Sequence, residues 1–141
     1  MTGRLDGAWE FAPAWHVETQ LTSGLSLDLA DVRLSAAGGV RWSPVRRGPV
    51  EPQLWAGVIH SHEMATYHLA HAPLHAILGS DGHTMHRNGA GLGLGLVVTP
   101  VEAIPLQLGV KASAFTYLAD GRAPFTWEIV GGLGWRFDDA P

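Results

Sequence analysis

The chain has 141 residues, a formal net charge of −4, a pI near 6.0 and no cysteine. That length holds one domain; the charge offers no basic stripe to displace phosphate counterions and so argues against nucleic acid; the missing thiols exclude disulfides, zinc–thiolate sites and cysteine nucleophiles. A hydrophobic share of 46% is ordinary for a soluble protein, but no apolar run approaches the roughly 20 residues of a spanning helix, so entry into a bilayer has to be by alternating strands.

Met1-Thr2-Gly3-Arg4 is followed by no apolar stretch of the kind that opens a secretory leader, so a signal peptide is absent from this sequence. Over residues 5–11 the apolar Leu5, Trp9 and Phe11 oppose Asp6 and Glu10. After the turn at 12–14, Trp15, Val17 and Leu21 oppose His16, Glu18, Gln20 and Thr22. Residues 23–30 form a longer link. From 32 to 43 the two phases separate cleanly, with Val32, Leu34, Ala36, Val40 and Trp42 against Arg33, Ser35, Gly39 and Arg41. The proline and glycine of residues 44–50 make a short turn.

The next strand, 51–62, is apolar in both phases: Trp55 and Ile59 compete with Leu54, Ala56 and Val58. Residues 63–83 form the one long irregular loop. From 88 to 99 Leu92, Leu94, Leu96 and Val98 alternate with Gly89, Gly91, Gly93 and Gly95, a face of bare backbone that leaves room for bulky inward neighbours. Beyond a short link at 100–103, Leu106, Leu108, Val110, Ala112 and Ala114 oppose Gln107, Lys111, Ser113 and Tyr117. A second loop at 118–124 leads to the last strand, where Trp127, Ile129, Leu133, Trp135 and Phe137 oppose Thr126, Glu128, Gly132, Gly134 and Arg136.

The expected fold is therefore all-β: one antiparallel up-and-down β-barrel domain over residues 1–141, of about seven to eight strands. Neither a helix nor a second sheet is evident to cover the apolar faces. A transmembrane barrel, with lipid outside and a narrow polar lumen inside, accounts for that pattern. Tight and long links alternate, as they do on the two rims of such a barrel. Tracing the strands with that polarity sends Trp9, Phe11, Trp15, Trp42, Trp55, Trp135 and Phe137 to the short-turn rim, and Trp127, with Phe115 and Tyr117, to the other. These are the candidate lipid-facing and girdle residues, since an indole favours the headgroup layer. The bland alternative makes the tryptophans core residues of a soluble domain. Glu10, Glu18, Arg33, Arg41, Lys111, Glu128 and Arg136 fall on the lumen face, where pairing of these charges fills the interior and disfavours a pore.

The residues from about 31 to 137 resemble, in order, the small bacterial outer-membrane β-barrel family of OmpA-like and OmpX-like eight-stranded transmembrane domains. Ala36-Ala37-Gly38-Gly39-Val40-Arg41-Trp42-Ser43-Pro44 is similar to the family's fourth strand and exit turn. Glu51-Pro52-Gln53-Leu54-Trp55-Ala56-Gly57-Val58 resembles the fifth strand, the run from Asn88 to Pro100 the sixth, and Gly131-Gly132-Leu133-Gly134-Trp135-Arg136-Phe137 the last. The resemblance implies a location in the outer membrane of a Gram-negative bacterium. Two departures stand against it. Only seven strands are counted, and Phe137 is followed by Asp138-Asp139-Ala140-Pro141 where the family usually ends on that aromatic. Seven antiparallel strands bring the first and last together parallel, leaving an imperfect seam. A lost N-terminal strand, an extra strand from residues 67–78, or a partner chain can fill it.

For chemistry the histidines are the candidates. His60 and His62 share one strand face and His68 and His71 share a helical face, so a divalent metal site is physically possible, but a converging third ligand is missing and only Glu63 and Asp81 are nearby carboxylates. Ser61 is the one serine beside histidines, yet strand neighbours point to opposite faces. No nucleophile elbow, phosphate loop or dinucleotide fingerprint is present. The sequence thus points to a non-enzymatic outer-membrane barrel without cofactor, a structural, anchoring or interaction module. It touches membrane lipid, and a protein partner at the 63–83 loop or at the seam. The alternatives are a soluble lipocalin-like barrel binding an apolar ligand, with Leu92, Leu94, Leu133 and Trp135 turned inward, and an outer-membrane lipid-modifying enzyme using Ser61.

Overall fold

A computed structural model describes residues 2–26, 30–45, 49–80, 82–100, 105–118 and 125–135. Arg136, Phe137, Asp81 and the tail from Asp138 lie outside the described residues. The strands are β1 (Thr2–Ala12), β2 (Trp15–Ser26), β3 (Asp31–Trp42), β4 (Val50–Ala65), β5 (Met85–Val98), β6 (Leu106–Leu118) and β7 (Phe125–Trp135). They form one seven-stranded sheet in sequence order, every neighbouring pair antiparallel. The sheet is an up-and-down meander curled into a half-barrel. Among the described residues β1 pairs only with β2 and β7 only with β6, so no backbone ladder joins the two edges.

Two short helices, α1 (Thr66–His71) and α2 (Pro73–Leu78), occupy the 63–83 region. The expected irregular loop is thus partly ordered, and residues 67–78 do not supply an extra strand: Pro73 sits in the first turn of α2, where its missing N–H costs nothing, and Gly79 closes that helix at φ +69°. β4 also runs further than residue 62, ending at Ala65, and β5 begins at Met85 rather than 88. Among the described residues no helix is long and apolar enough to cross a membrane, which says nothing of strands.

Alternation divides the sheet into two unlike faces, as the pattern of residues requires. The outer face exposes its apolar side chains: Leu94 is 63% exposed, Leu133 77% and Trp135 56%. Trp9, Phe11, Trp15, Ile129 and Trp127 are exposed as well, and Trp15 packs on Trp42 at 6.3 Å between ring centroids. The inner, concave face buries polar groups, among them Glu18, Gln20, Glu51, Gln53, Ser61, Arg87 and Ser113. A ligand-binding barrel of the lipocalin type needs the reverse, with the leucines inward and Arg41 and Lys111 in water.

The aromatic core sits inside this polar face. Trp55, Ile59, Phe115 and Tyr117 form it, with Trp55 and Phe115 edge to face at 6.0 Å. Three assignments to the lipid-facing girdle are corrected here. Trp55 is only 2% exposed, and Phe115 and Tyr117 are buried, because all three belong to the inward phase of β4 and β6. The glycines opposite make the room: Gly91 and Gly89 on β5 pair with Phe115 and Tyr117, and a Cβ on Gly91 would lie 2.4 Å from the Phe115 ring. Gly57 does the same for Trp55, whose indole Cζ2 lies 2.5 Å from where a Cβ would stand.

Candidate functional site

Two groups of side chains remain as candidates, one on each face. The inner one is a charge network. Glu18 on β2, 3% exposed, pairs with Lys111 on β6 and with Arg41 on β3 at 3.5 Å, and accepts from Gln20 Nε2 at 2.6 Å. The Lys111 ammonium also lies 4.9 Å from the centre of the Trp55 ring. Arg33 donates to the Tyr117 hydroxyl and pairs with Glu63 at 3.6 Å; Arg87 pairs with Glu63 at 3.2 Å and stands 4.5 Å over the Tyr117 ring. Glu128 pairs with Arg4 at 2.9 Å, and Arg4 with Asp6 at 2.7 Å.

Of the lumen charges expected from alternation, Glu18, Arg33, Arg41, Lys111 and Glu128 thus meet partners across the interior. Glu10 lies in the inward register of the edge strand and is exposed. Arg136 lies outside the described residues. Arg4 and Arg87 belong to the network and were not singled out by the sequence, although each falls in phase with its strand's polar positions; Glu63, noted there only as a carboxylate near the histidines, belongs to it as well. Burial of an ion costs least when a counter-charge stands beside it, and each of the two shared carboxylates, Glu18 and Glu63, gives two cations such a neighbour. A void of about 210 Å³ remains between Gln20, Arg33, Phe115, Tyr117 and Glu128. That is room for a few waters.

The second group lies on the outer face, near the rim that carries the helices. His62 on β4 is directly opposite His86 on β5, and His60, two residues along, is opposite Asn88. One ring nitrogen from each of His60, His62 and His86 lies within 4.8 Å of the others. His60 Nε2 and His62 Nε2 are 2.7 Å apart, and the three rings pack with centroids 4.5 to 5.7 Å from one another. Their remaining nitrogens meet oxygen: His60 Nδ1 meets Asn88 Oδ1 at 2.7 Å, His62 Nδ1 the Ile77 carbonyl at 2.9 Å, and His86 Nε2 the Gly79 carbonyl at 2.9 Å.

The end of α2 is what brings those carbonyls onto the strands. Gly79 is needed there twice, once for its left-handed backbone and once because a Cβ would stand 2.2 Å from the His86 ring. Among the four histidines considered as metal ligands, the structure gathers His60 and His62 but not His68 and His71. His68 stacks on His83 at 4.6 Å, and His71 Nδ1 donates to the Tyr67 carbonyl at 2.9 Å. The converging third residue is His86, hidden because the strand beginning at Met85 extends the alternation of Leu92 and Leu94 further back than the glycine pattern indicates.

Ser61 is on the opposite face from both neighbouring histidines. It is 0% exposed and shares hydrogen bonds with Ser35 Oγ at 2.9 Å and Tyr117 Oη at 3.4 Å. The arrangement joins it to no imidazole among the described residues, so the serine-and-histidine pairing of a lipid-modifying enzyme has no geometric basis at Ser61.

No family model, curated protein or solved structure matches the chain. Its class is accordingly drawn from the fold alone: an antiparallel up-and-down sheet, curled, polar within and apolar without.

Proposed function

We propose that this chain is a bacterial outer-membrane β-barrel module without catalytic activity, anchored in lipid by its outer face and acting through its rims and its open seam. One observation carries the reading. The apolar side chains of the strands face out, apart from the inward cluster of Trp55, Ile59, Phe115 and Tyr117, while Glu18 pairs with Lys111 and Arg41 and Glu63 pairs with Arg87 within, an arrangement that leaves a large apolar surface in need of a nonaqueous solvent. The two aromatic levels support it further. Trp9, Phe11, Trp15 and Trp135 lie toward the short-turn ends of their strands, and Phe125 and Trp127 toward the other end of β7, a separation that suits two headgroup layers.

Strand lengths agree with a bilayer. A tilted spanning strand needs about 9 to 11 residues, and the described strands run from 11 to 16. The anchoring reading assigns partner contact to residues 63–83 and to the edges of β1 and β7, which no ladder joins among the described residues.

The test is direct. The chain is expressed in a Gram-negative host behind a cleavable signal, its membrane partition is measured, and tryptophan fluorescence is recorded in bilayers of lipids brominated at defined depths. Extraction by detergent alone, with strong quenching by bromines near the headgroups, is the expected result. A sheet-rich monomer that stays in aqueous buffer without detergent overturns the proposal.

A further inference from the structure

We propose that His60, His62 and His86 form a binding site for a divalent transition metal ion of the zinc class. The inference rests on the outer-face geometry alone and stands whether or not the sheet enters a bilayer. Three imidazoles from two paired strands converge with ring nitrogens within 4.8 Å of one another, and neither carboxylate nor thiolate takes part. An all-imidazole set suits zinc, copper or nickel and disfavours magnesium and calcium, which prefer oxygen.

The partners of the far nitrogens strengthen the case. A backbone carbonyl can only accept, so Ile77 O and Gly79 O place the protons on His62 Nδ1 and His86 Nε2. This leaves lone pairs on His62 Nε2 and His86 Nδ1. Asn88 Oδ1 accepts from His60 Nδ1 in the same way and leaves a lone pair on His60 Nε2. Each ring thus has an oxygen partner on one nitrogen and a lone pair on the other, the division of roles found in metal-ligating histidines. Across the 2.7 Å between His60 Nε2 and His62 Nε2, lone pair then faces lone pair. A cation between them makes that approach favourable, as does a proton carried by one of the two rings.

A zinc ion held at about 2.0 to 2.1 Å from each nitrogen would set the nitrogens about 3.3 Å apart in a tetrahedral arrangement. That asks His60 and His62 to part by about 0.6 Å and His86 to close on them by up to about 1.5 Å, movements that rotations about their side-chain torsions supply. With three protein ligands the fourth position is left open. A groove of about 520 Å³, to which His60, His62, Ile77, Leu5 and Leu21 contribute, lies beside two of the three rings and has room for water or a small ligand.

The experiment uses the full chain, folded in detergent micelles, and Zn²⁺ and Co²⁺ as probes. Equilibrium dialysis is expected to give one tightly bound zinc per chain, and cobalt to give the visible absorption of a tetrahedral site. Affinity falls at least tenfold in each of His60→Ala, His62→Ala and His86→Ala, and is unchanged in His71→Ala. Because a site variant can fail to fold, the thermal midpoint of the unaltered chain is also measured with zinc and with a chelator; zinc raises it. No stoichiometric binding together with no zinc-dependent shift overturns the site and leaves a shared proton between His60 and His62. Binding that survives His86→Ala, or is lost in His71→Ala, overturns it equally.

Discussion

Arg4 Nη1 lies 2.9 Å from Glu128 Oε1, so a side chain of the first strand grips one of the last across a gap that no described backbone hydrogen bond spans. Seven antiparallel strands start and finish running the same way, and an edge left open exposes backbone donors and acceptors. Long side chains reach across where a ladder does not form.

The seam pair should therefore contribute measurably to stability. Glu128→Gln leaves Arg4 with Asp6, 2.7 Å away, as its remaining anion among the described residues. The loss is expected at about 1 to 3 kcal/mol, the range for a hydrogen bond to a charged group. Arg4→Ala should cost a similar amount, and the double variant little more than the larger single change. Urea unfolding in micelles measures all three. Strictly additive losses would mean that the pair contributes nothing.

Inside the sheet, Glu18 is the anion that Lys111 and Arg41 share. Glu18→Ala strands two cations on a face where the glutamate itself was 3% exposed, and should cost about 3 to 5 kcal/mol. Lys111→Met should cost clearly less, because Glu18 keeps Arg41 at 3.5 Å and the amide of Gln20 at 2.6 Å. Comparison of unfolding midpoints tests the order. Equal losses would remove Glu18 from its place at the centre of the network.

Neighbouring glycines on β3 should respond in opposite ways to one added methyl group. A Cβ on Gly39 would stand 2.2 Å from the Ala56 carbonyl oxygen, an overlap with backbone that cannot turn aside, whereas a Cβ on Gly38 meets nothing within 4 Å. Gly39→Ala is expected to lose about 1 to 3 kcal/mol by overpacking. Gly38→Ala, on the outer face, should stay within about 0.5 kcal/mol of the parent. The same unfolding assay decides, and a neutral Gly39→Ala would show that β3 and β4 approach less closely than described.

Much of this architecture is written in the period of the side chains. Alternation along 32–43, 88–99 and 125–135 is enough to separate an apolar face from a polar one, because successive side chains on a strand must point to opposite sides. It puts Leu94 and Leu133 on one face and Arg41 and Glu128 on the other, and the count of seven strands follows from the turns between them. Alternation is silent where both phases are apolar. Trp55 and Ile59 compete with Leu54 and Val58, and only the packing of Trp55 against Phe115, over the bare backbone of Gly57, sends the indole inside.

Nor can a local pattern say which residues meet when the sheet curls. The contacts of Lys111 with Glu18, Arg33 with Tyr117 and Arg4 with Glu128 join strands that are not neighbours, and depend on curvature summed over the whole sheet. The histidine patch has the same origin. His60 and His62 are legible as a same-face pair, but His86 joins them through the β4–β5 register, and the carbonyls of Ile77 and Gly79 arrive only because α2 folds back on the strands. Side-chain period is a property of the local backbone; convergence at a point is a property of the folded surface.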